Sequence, residues 1–352
     1  MFLSGLGTAT PANRFMQAQC WDALVASDHL SSLNSRSQAI LRKVLRGNNG
    51  ICSRHLAFND LSEAFVLEPD ALDARFAKHA PVVAAQAARR ALAAAGLTSR
   101  DIDAVIISTC TGYLCPGLTS YVSEILELRT DILALDLVGQ GCGAALPNLR
   151  TAEALIASSR ADRVLSICVE ICSAAMYLDD DPGVLISACL FGDDAGAAVL
   201  TADPVDGRRR VRWQSASTLL NAGDRDELRF EKRGGMLRNV LTTAVPGIAA
   251  RQVDTVLTER LEHEGLTRDD ISGWILHAGG REILAAIRER LQLSEDDTRW
   301  SAGVLREYGN VSSPCVYFVL EAALKEQAEG GYWWMSSFGA GFSCHGALLE
   351  VS

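Results

Sequence analysis

The chain has 352 residues, 48% of them apolar and 22% charged, and a formal net charge of −10. That composition supports a large buried core, as one big domain or two intimate ones. It excludes a general nucleic-acid binder, whose affinity comes from clustered Lys and Arg, but leaves room for a local basic entrance for a phosphorylated small molecule. No run of about 18 uncharged apolar residues predicts a membrane span. Met1 to Gly7 has no basic stretch before its apolar residues, so it reads as a first strand rather than a signal peptide. A cytoplasmic location is expected.

Helix and strand patterns then alternate along the chain. Pro81–Ala95 is Ala-rich and predicted helical, and Asp103–Ser108 is a strand. A helix around Tyr121–Leu128, a strand over Ile132–Leu137 and a helix over Leu149–Ser159 follow. Arg163–Val169 and Ala195–Thr201 are strands again. Pro147 is tolerable only in the first turn of the helix that follows Cys142, where backbone N–H groups lack partners anyway. The charged segment Asp224–Arg233 is expected as a solvated loop or helix face.

The plan repeats. Leu97-Thr98-Ser99-Arg100-Asp101-Ile102 precedes the strand Val105-Ile106-Ile107, and Leu266-Thr267-Arg268-Asp269-Asp270-Ile271 precedes Trp274-Ile275-Leu276. Ala195–Leu200 likewise echoes Gly346–Val351. Two matches in the same order indicate an internal duplication, with halves 1–204 and 205–352 and a seam in the charged stretch Asp203–Arg210.

Ten cysteines are present, none in C-x-x-C spacing, and most in apolar surroundings where a reduced, buried thiol is expected. Cys142 differs. In Leu137-Val138-Gly139-Gln140-Gly141-Cys142-Gly143 an apolar strand breaks at glycine, presents a thiol, and continues into a helix whose N-terminal dipole favours thiolate. His277 ends the strand Trp274-Ile275-Leu276, where ligand crevices of alternating folds lie; a histidine satisfied by local backbone is the alternative. Asn310, in Tyr308-Gly309-Asn310-Val311-Ser312-Ser313, is a candidate third member or simply a turn and cap residue. Cys142 belongs to the first half, His277 and Asn310 to the second.

Gln140-Gly141-Cys142, His277-x-Gly279-Gly280 and Tyr308–Ser313, in that order, resemble the type III polyketide synthases, the chalcone and stilbene synthase family. Gly7–Pro11, Cys115-Pro116-Gly117, Leu190-Phe191-Gly192-Asp193, Val245-Pro246-Gly247 and Phe338–Gly341 extend the resemblance over essentially the whole chain. It implies an α/β thiolase fold, with duplicated halves in a five-layered αβαβα core, and a homodimer. It also implies an acyltransferase that uses an acyl-CoA starter and malonyl-CoA, with no metal or redox cofactor. Cys142 as thiolate, ion-paired with imidazolium His277, would take the acyl group. His277 and Asn310 would then stabilise the enolate oxygen formed as malonyl-CoA loses carbon dioxide.

The resemblance extends to a substrate cavity. Phe191 stands at a gatekeeper position and Asn239 at a second one, where plant enzymes carry phenylalanine; Asn239 predicts a more polar, wider mouth. Cys110 and Cys115 replace a threonine and a methionine near the loop that reaches the partner subunit. Cys172 to Ala175 is a small-residue wall of the initiation pocket, Ser312 a further substrate contact, and Arg54 a CoA contact, with Cys52 in place of a lysine. The His-Ala-Gly-Gly motif, where plant enzymes have His-Pro-Gly-Gly, points to a bacterial branch. The small pocket residues favour a fatty acyl starter and an alkylpyrone or resorcinol-type product. The rivals are a ketoacyl-acyl carrier protein synthase III, which shares the fold and the Cys–His–Asn trio but usually carries His-Gln-Ala-Asn, and a non-catalytic binding protein on the same fold.

Overall fold

A computed structural model describes residues 1–205 and 207–352. The first half runs β1 (Phe2–Ala9), β2 (Arg14–Met16), α1 (Gln17–Ala26), α2 (His29–Ser32), α3 (Ser35–Arg46), β3 (Ser53–His55) and α4 (Pro69–Ala95). It continues through β4 (Ala104–Thr109), α5 (Leu118–Leu126), β5 (Leu133–Val138), α6 (Ala145–Ala157), β6 (Arg163–Ile171), α7 (Pro182–Leu190) and β7 (Asp193–Thr201). The second half opens with β8 (Val211–Leu220), the hairpin β9 (Leu228–Arg233) and β10 (Met236–Leu241), and α8 (Val245–Glu264). It closes with β11 (Ile271–Leu276), α9 (Arg281–Leu291), α10 (Arg299–Tyr308), α11 (Cys315–Lys325), β12 (Gly331–Gly339) and β13 (Ser343–Val351).

The duplication has a geometric counterpart. Strands β4-β6-β7-β1 of the first half lie in the same order as β11-β12-β13-β8 of the second, and the two sets meet at the β1–β8 pair. In each set the first pair is parallel and the next two antiparallel. The repeated hexapeptides do the same work twice. Gly96 and Gly265 take left-handed backbone (φ 69° in both) to end α4 and α8, a conformation cheap only for glycine. Thr98–Asp101 and Thr267–Asp270 then each close a capping box ahead of the next strand.

Five layers follow from the cores. One buried cluster fills the space between α4, α5 and the first sheet, and another lies between α8, α9 and the second. A third packs α6 and α11 between both sheets. The alanine content of α4 explains its closeness to β1. A Cβ on Gly5 would lie 2.2 Å from the Ala91 carbonyl oxygen, and one on Gly7 2.5 Å from that of Ala87. Helix and strand therefore meet backbone to backbone.

Two sequence expectations change here. The Ala-rich helix begins at Pro69, so Pro81 sits inside it; burial of the surrounding alanine face outweighs the lost hydrogen bond. Asp224–Arg233 is no solvated loop or helix face: its second part is β9, paired residue for residue with β10. There Leu228 and Phe230 alternate with charged residues at the strand period.

Candidate active site

The nucleophile turn is built from backbone. After β5, Gly139 and Gly141 adopt φ of 83° and 57°, and Gly141–Gly143 makes one tight turn into α6. Cys142 is thereby presented beside the N-terminal end of a central helix. The loop Phe338–Gly341 packs beneath it. A Cβ on Gly339 would lie 2.5 Å from the Gly143 nitrogen and 3.0 Å from the Cys142 nitrogen, so only glycine admits this contact. Ser337 Oγ donates to the Gly143 carbonyl at 3.0 Å and fixes the same turn.

The second half supplies the rest from equivalent places. α11 follows Asn310 to Ser313 just as α6 follows Cys142, so both central helices start at the site. Asn310 Nδ2 donates to the Gly279 carbonyl at 2.9 Å, and its Oδ1 accepts from the Ser312 nitrogen at 2.9 Å. One amide hydrogen of Asn310 remains uncommitted to Gly279. Ser312 holds φ at 52°, a conformation a non-glycine residue rarely takes and one that clusters at functional sites. It places Ser312 Oγ as donor to Cys142 Sγ at 3.2 Å. His277 is buried, edge-on to Phe338 with ring centroids 4.9 Å apart, and its Nδ1 has no partner among the described residues.

Burial opposes the expected ion pair. Burial pushes the Cys142 thiol up to about 12, outweighing the lowering by the Ser312 hydrogen bond. Burial alone takes His277 down to about 4. No hydrogen bond joins the two side chains among the described residues. Burial thus disfavours the charged form of each group.

Sequence reasoning missed Glu170, whose carboxyl lies beneath the site with its pKa raised by burial. It accepts from Ser313 Oγ at 2.5 Å, Thr111 Oγ1 at 2.9 Å, the Cys110 nitrogen at 3.0 Å and Cys110 Sγ at 3.3 Å. Its strand position carried no motif that would have marked it.

A cavity opens from Cys142, lined by Cys172, Ala175, Ser312, Phe191 and Asn239, five of the expected substrate residues. The amide of Asn239 donates to Ser187 Oγ at 2.9 Å. Phe230 pairs with Asn239 across the hairpin and lines the same cavity, so the polar position brings a phenyl ring with it. Arg238 anchors this hairpin: buried at 7% exposure, it reaches Asp179 at 2.9 Å, Asp181 at 3.0 Å and Glu231 at 2.8 Å. Asp181 is in turn the N-cap of α7, so one guanidinium ties two cavity walls together.

The remaining expectations separate. Cys110 lies beside the site, against Glu170 and 3.7 Å from Ser312 Oγ. Cys115 is exposed and lines none of the cavities described here. Arg54, expected as a CoA contact, is 3% exposed, and its guanidinium donates to Gln17 and to the carbonyls of Ala188 and Phe191, a placement turned away from solvent. It holds the end of α7, and so Phe191, in place. Arginines do cluster elsewhere on this side. Arg281, Arg288, Arg299 and Arg306 line a broad depression together with Glu282, Glu295, Glu307 and Glu326, to which they are ion-paired, and Arg281 follows directly on Gly279-Gly280.

With the geometry in hand, similarity to known proteins is informative. Residues 13–230 match the family described as FAE1/Type III polyketide synthase-like protein. Residues 216–351 match chalcone and stilbene synthases, C-terminal domain. The fold is a thiolase fold, and the class it defines with this site is that of malonyl-CoA condensing enzymes. The chain belongs to the type III polyketide synthase family. Solved structures agree in fold. PKS-I from the brown alga Ectocarpus siliculosus is 26% identical with a TM-score of 0.90, over 99% of this chain and 97% of that one. 1,3,6,8-Tetrahydroxynaphthalene synthase from Streptomyces coelicolor A3(2) is 22% identical with a TM-score of 0.90, over 99% of both chains. The C-terminal type III polyketide synthase domain of Steely1 from Dictyostelium is 22% identical with a TM-score of 0.88, over 99% and 98%. Among the described residues no helix is long and apolar enough to cross a membrane.

Proposed function

We propose that this protein loads an acyl group from an acyl-CoA onto Cys142, extends it with malonyl-CoA, and releases a cyclised pyrone or resorcinol-type product. The carrying observation is the convergence of two helix starts. α6 presents a thiol, α11 presents the Asn310–Ser313 turn, and Ser312 joins them through its contact with Cys142. His277 takes the Sγ proton as sulfur attacks the starter thioester. It returns that proton to the departing CoA sulfur. In the extension step malonyl-CoA loses carbon dioxide. The electron pair left behind moves onto the thioester oxygen, where the imidazole N–H and the free Asn310 N–H stabilise it. The enolate carbon then attacks acyl-Cys142 and frees the thiolate.

A homodimer forms through β5, whose outer edge in the sheet is unpaired and whose Leu133 and Val138 are 38% and 56% exposed; an open edge with apolar side chains favours pairing with a second copy. The test is incubation with malonyl-CoA and a panel of acyl-CoA starters, without acyl carrier protein, followed by mass spectrometry. Released pyrone or resorcinol is the expected result. Condensation that requires carrier protein would point instead to the ketoacyl synthase reading.

A further inference from the structure

The run Gly192-Asp193-Asp194 puts two aspartates in succession at the start of β7, and strand alternation sends them to opposite faces of the sheet. Asp193 faces the α4 side, with Ala195 and Ala197. It accepts from the Ser173 nitrogen at 2.7 Å, Ser173 Oγ at 2.6 Å and the Ala57 nitrogen at 2.6 Å. Asp194 faces the central helices, beside its cross-strand partner Glu170. Glu170 is satisfied by Ser313, Thr111 and Cys110. Asp194 is not. It is 0% exposed, and neither carboxylate oxygen has a hydrogen-bond partner among the described residues. A buried carboxylate without donors or a counter-charge is among the costliest groups a fold can carry.

What surrounds Asp194 Oδ2 is more oxygen. The three heavy atoms nearest the point where a Cβ on Gly192 would stand are the Tyr308 carbonyl oxygen at 2.6 Å, Asp194 Oδ2 at 3.2 Å and the His55 carbonyl oxygen at 3.5 Å. Tyr308 is the last residue of α10. Its carbonyl lies at the helix end, where partners along the helix run out and the dipole is negative. A full charge, a helix C-terminus and a further carbonyl therefore face the bare side of one glycine. That potential suits a cation.

The donor set also limits which cation. The His55 ring is turned to the Pro11 carbonyl, so the set offers neither imidazole nor thiolate for zinc. Calcium and magnesium take six or more oxygens, usually with further carboxylates or waters. Among the described residues no group of three His, Cys, Asp or Glu side chains could hold a metal ion. One carboxylate balances one positive charge, and backbone carbonyls replace the hydration shell of potassium well.

We propose that Asp194 and the carbonyls of Tyr308 and His55 bind a monovalent alkali cation of potassium size beside Gly192. The ion fastens the place where the two halves meet at the catalytic turn. There the Gly192 nitrogen donates to the Asn310 carbonyl at 3.0 Å, and the Asn310 nitrogen to the Leu190 carbonyl at 2.8 Å. The ion takes no part in acyl transfer, so the site stands or falls apart from the synthase reading.

The test compares melting temperatures of protein purified in potassium chloride and in choline chloride at equal ionic strength, for the wild type and for Asp194→Asn. Choline is too large for a buried oxygen site. With a dissociation constant about tenfold below the salt concentration, the wild type should melt about 2 °C or more higher in potassium. Asp194→Asn keeps the shape, loses the charge and gains an N–H that can donate to the carbonyls, so it should melt at the same temperature in both salts. Wild-type crystals grown in rubidium chloride should show anomalous scattering in contact with Asp194. Equal wild-type melting temperatures in the two salts would overturn the site, as would a potassium effect that persists in Asp194→Asn. A water at Asp194 without anomalous signal, or a protonated Asp194 bonded directly to one of the carbonyls, would overturn it as well.

Discussion

The two central helices begin at the same site in different ways. α6 starts from glycines: Gly139, Gly141 and Gly143 leave the thiol open to a cavity, and its turn is held by backbone packing against the Gly339 loop and by the Ser337 hydroxyl. α11 starts from hydrogen bonds: Asn310, Ser312 and Ser313 are all buried and each is tied to a named partner. The difference teaches how a duplicated fold divides labour. One helix end is made accessible, so that a covalent bond can form there. Its counterpart is made rigid, so that donors stay aimed while charge develops.

That contrast can be broken from either end, and the largest effect belongs to the accessible one. Cys142→Ala should reduce acyl loading by about four orders of magnitude or more, read as loss of radiolabelled or mass-shifted enzyme. On the rigid side, Asn310→Ala should lower malonyl-CoA decarboxylation by about 10²–10³, measured as carbon dioxide release. Asn310→Asp keeps the acceptor for the Ser312 nitrogen, so its melting temperature should stay closer to wild type than that of Asn310→Ala. Ser312→Ala, which cuts the bond between the two ends, should slow iodoacetamide alkylation of Cys142 about three- to tenfold at pH 8 by removing the hydrogen bond that favours thiolate. Recovery of the rate at higher pH would identify the effect as a pKa shift, whereas a loss equal at every pH would assign Ser312 to packing.

The smallest effect is a pH dependence of stability with opposite signs on the two sides. His277 and His345 are both brought down to about 4 by burial. Between pH 6.5 and 4 the unfolded chain therefore binds protons that the folded chain does not. Stability is lost as pH falls through that window, by at most about 3 kcal/mol per histidine. Cys142 is raised to about 12; its contribution is present below about pH 9 and is lost as pH rises toward 12. Thermal melts from pH 4 to 8 should show the acid loss flattened in His277→Gln. A melting curve with no slope between pH 6.5 and 4 in the wild type would contradict it.

Much of this was legible from residues. Gly-Leu-Thr-x-x-Asp-Ile, occurring twice, marks the duplication because one cap chemistry ends the same helix and starts the same strand. The glycines around Cys142 reveal the turn, since only they allow its backbone. What the sequence hid is long-range. Glu170 is an acid in the middle of a buried strand, and nothing local tells that Ser313, 143 positions away, donates to it. Arg54 has the look of a phosphate ligand, and only the fold shows its charge turned inward onto carbonyls. Arg238 is a lone charge in the run Met236–Leu241 with nothing local to mark it, yet burial with three carboxylates makes it the fastening of the hairpin. Nor does sequence weigh desolvation against attraction at the expected Cys142–His277 ion pair, which burial of both groups opposes.

The division between helix ends is tested most directly by assaying two half-reactions side by side in three proteins. Carboxyl-labelled malonyl-CoA reports decarboxylation, and intact-protein mass spectrometry with acyl-CoA reports loading. The account predicts that Cys142→Ala still releases labelled carbon dioxide while carrying no acyl group, that Asn310→Ala still loads but releases little, and that the wild type does both. Loading by the Cys142→Ala protein, or undiminished decarboxylation by Asn310→Ala, would contradict it.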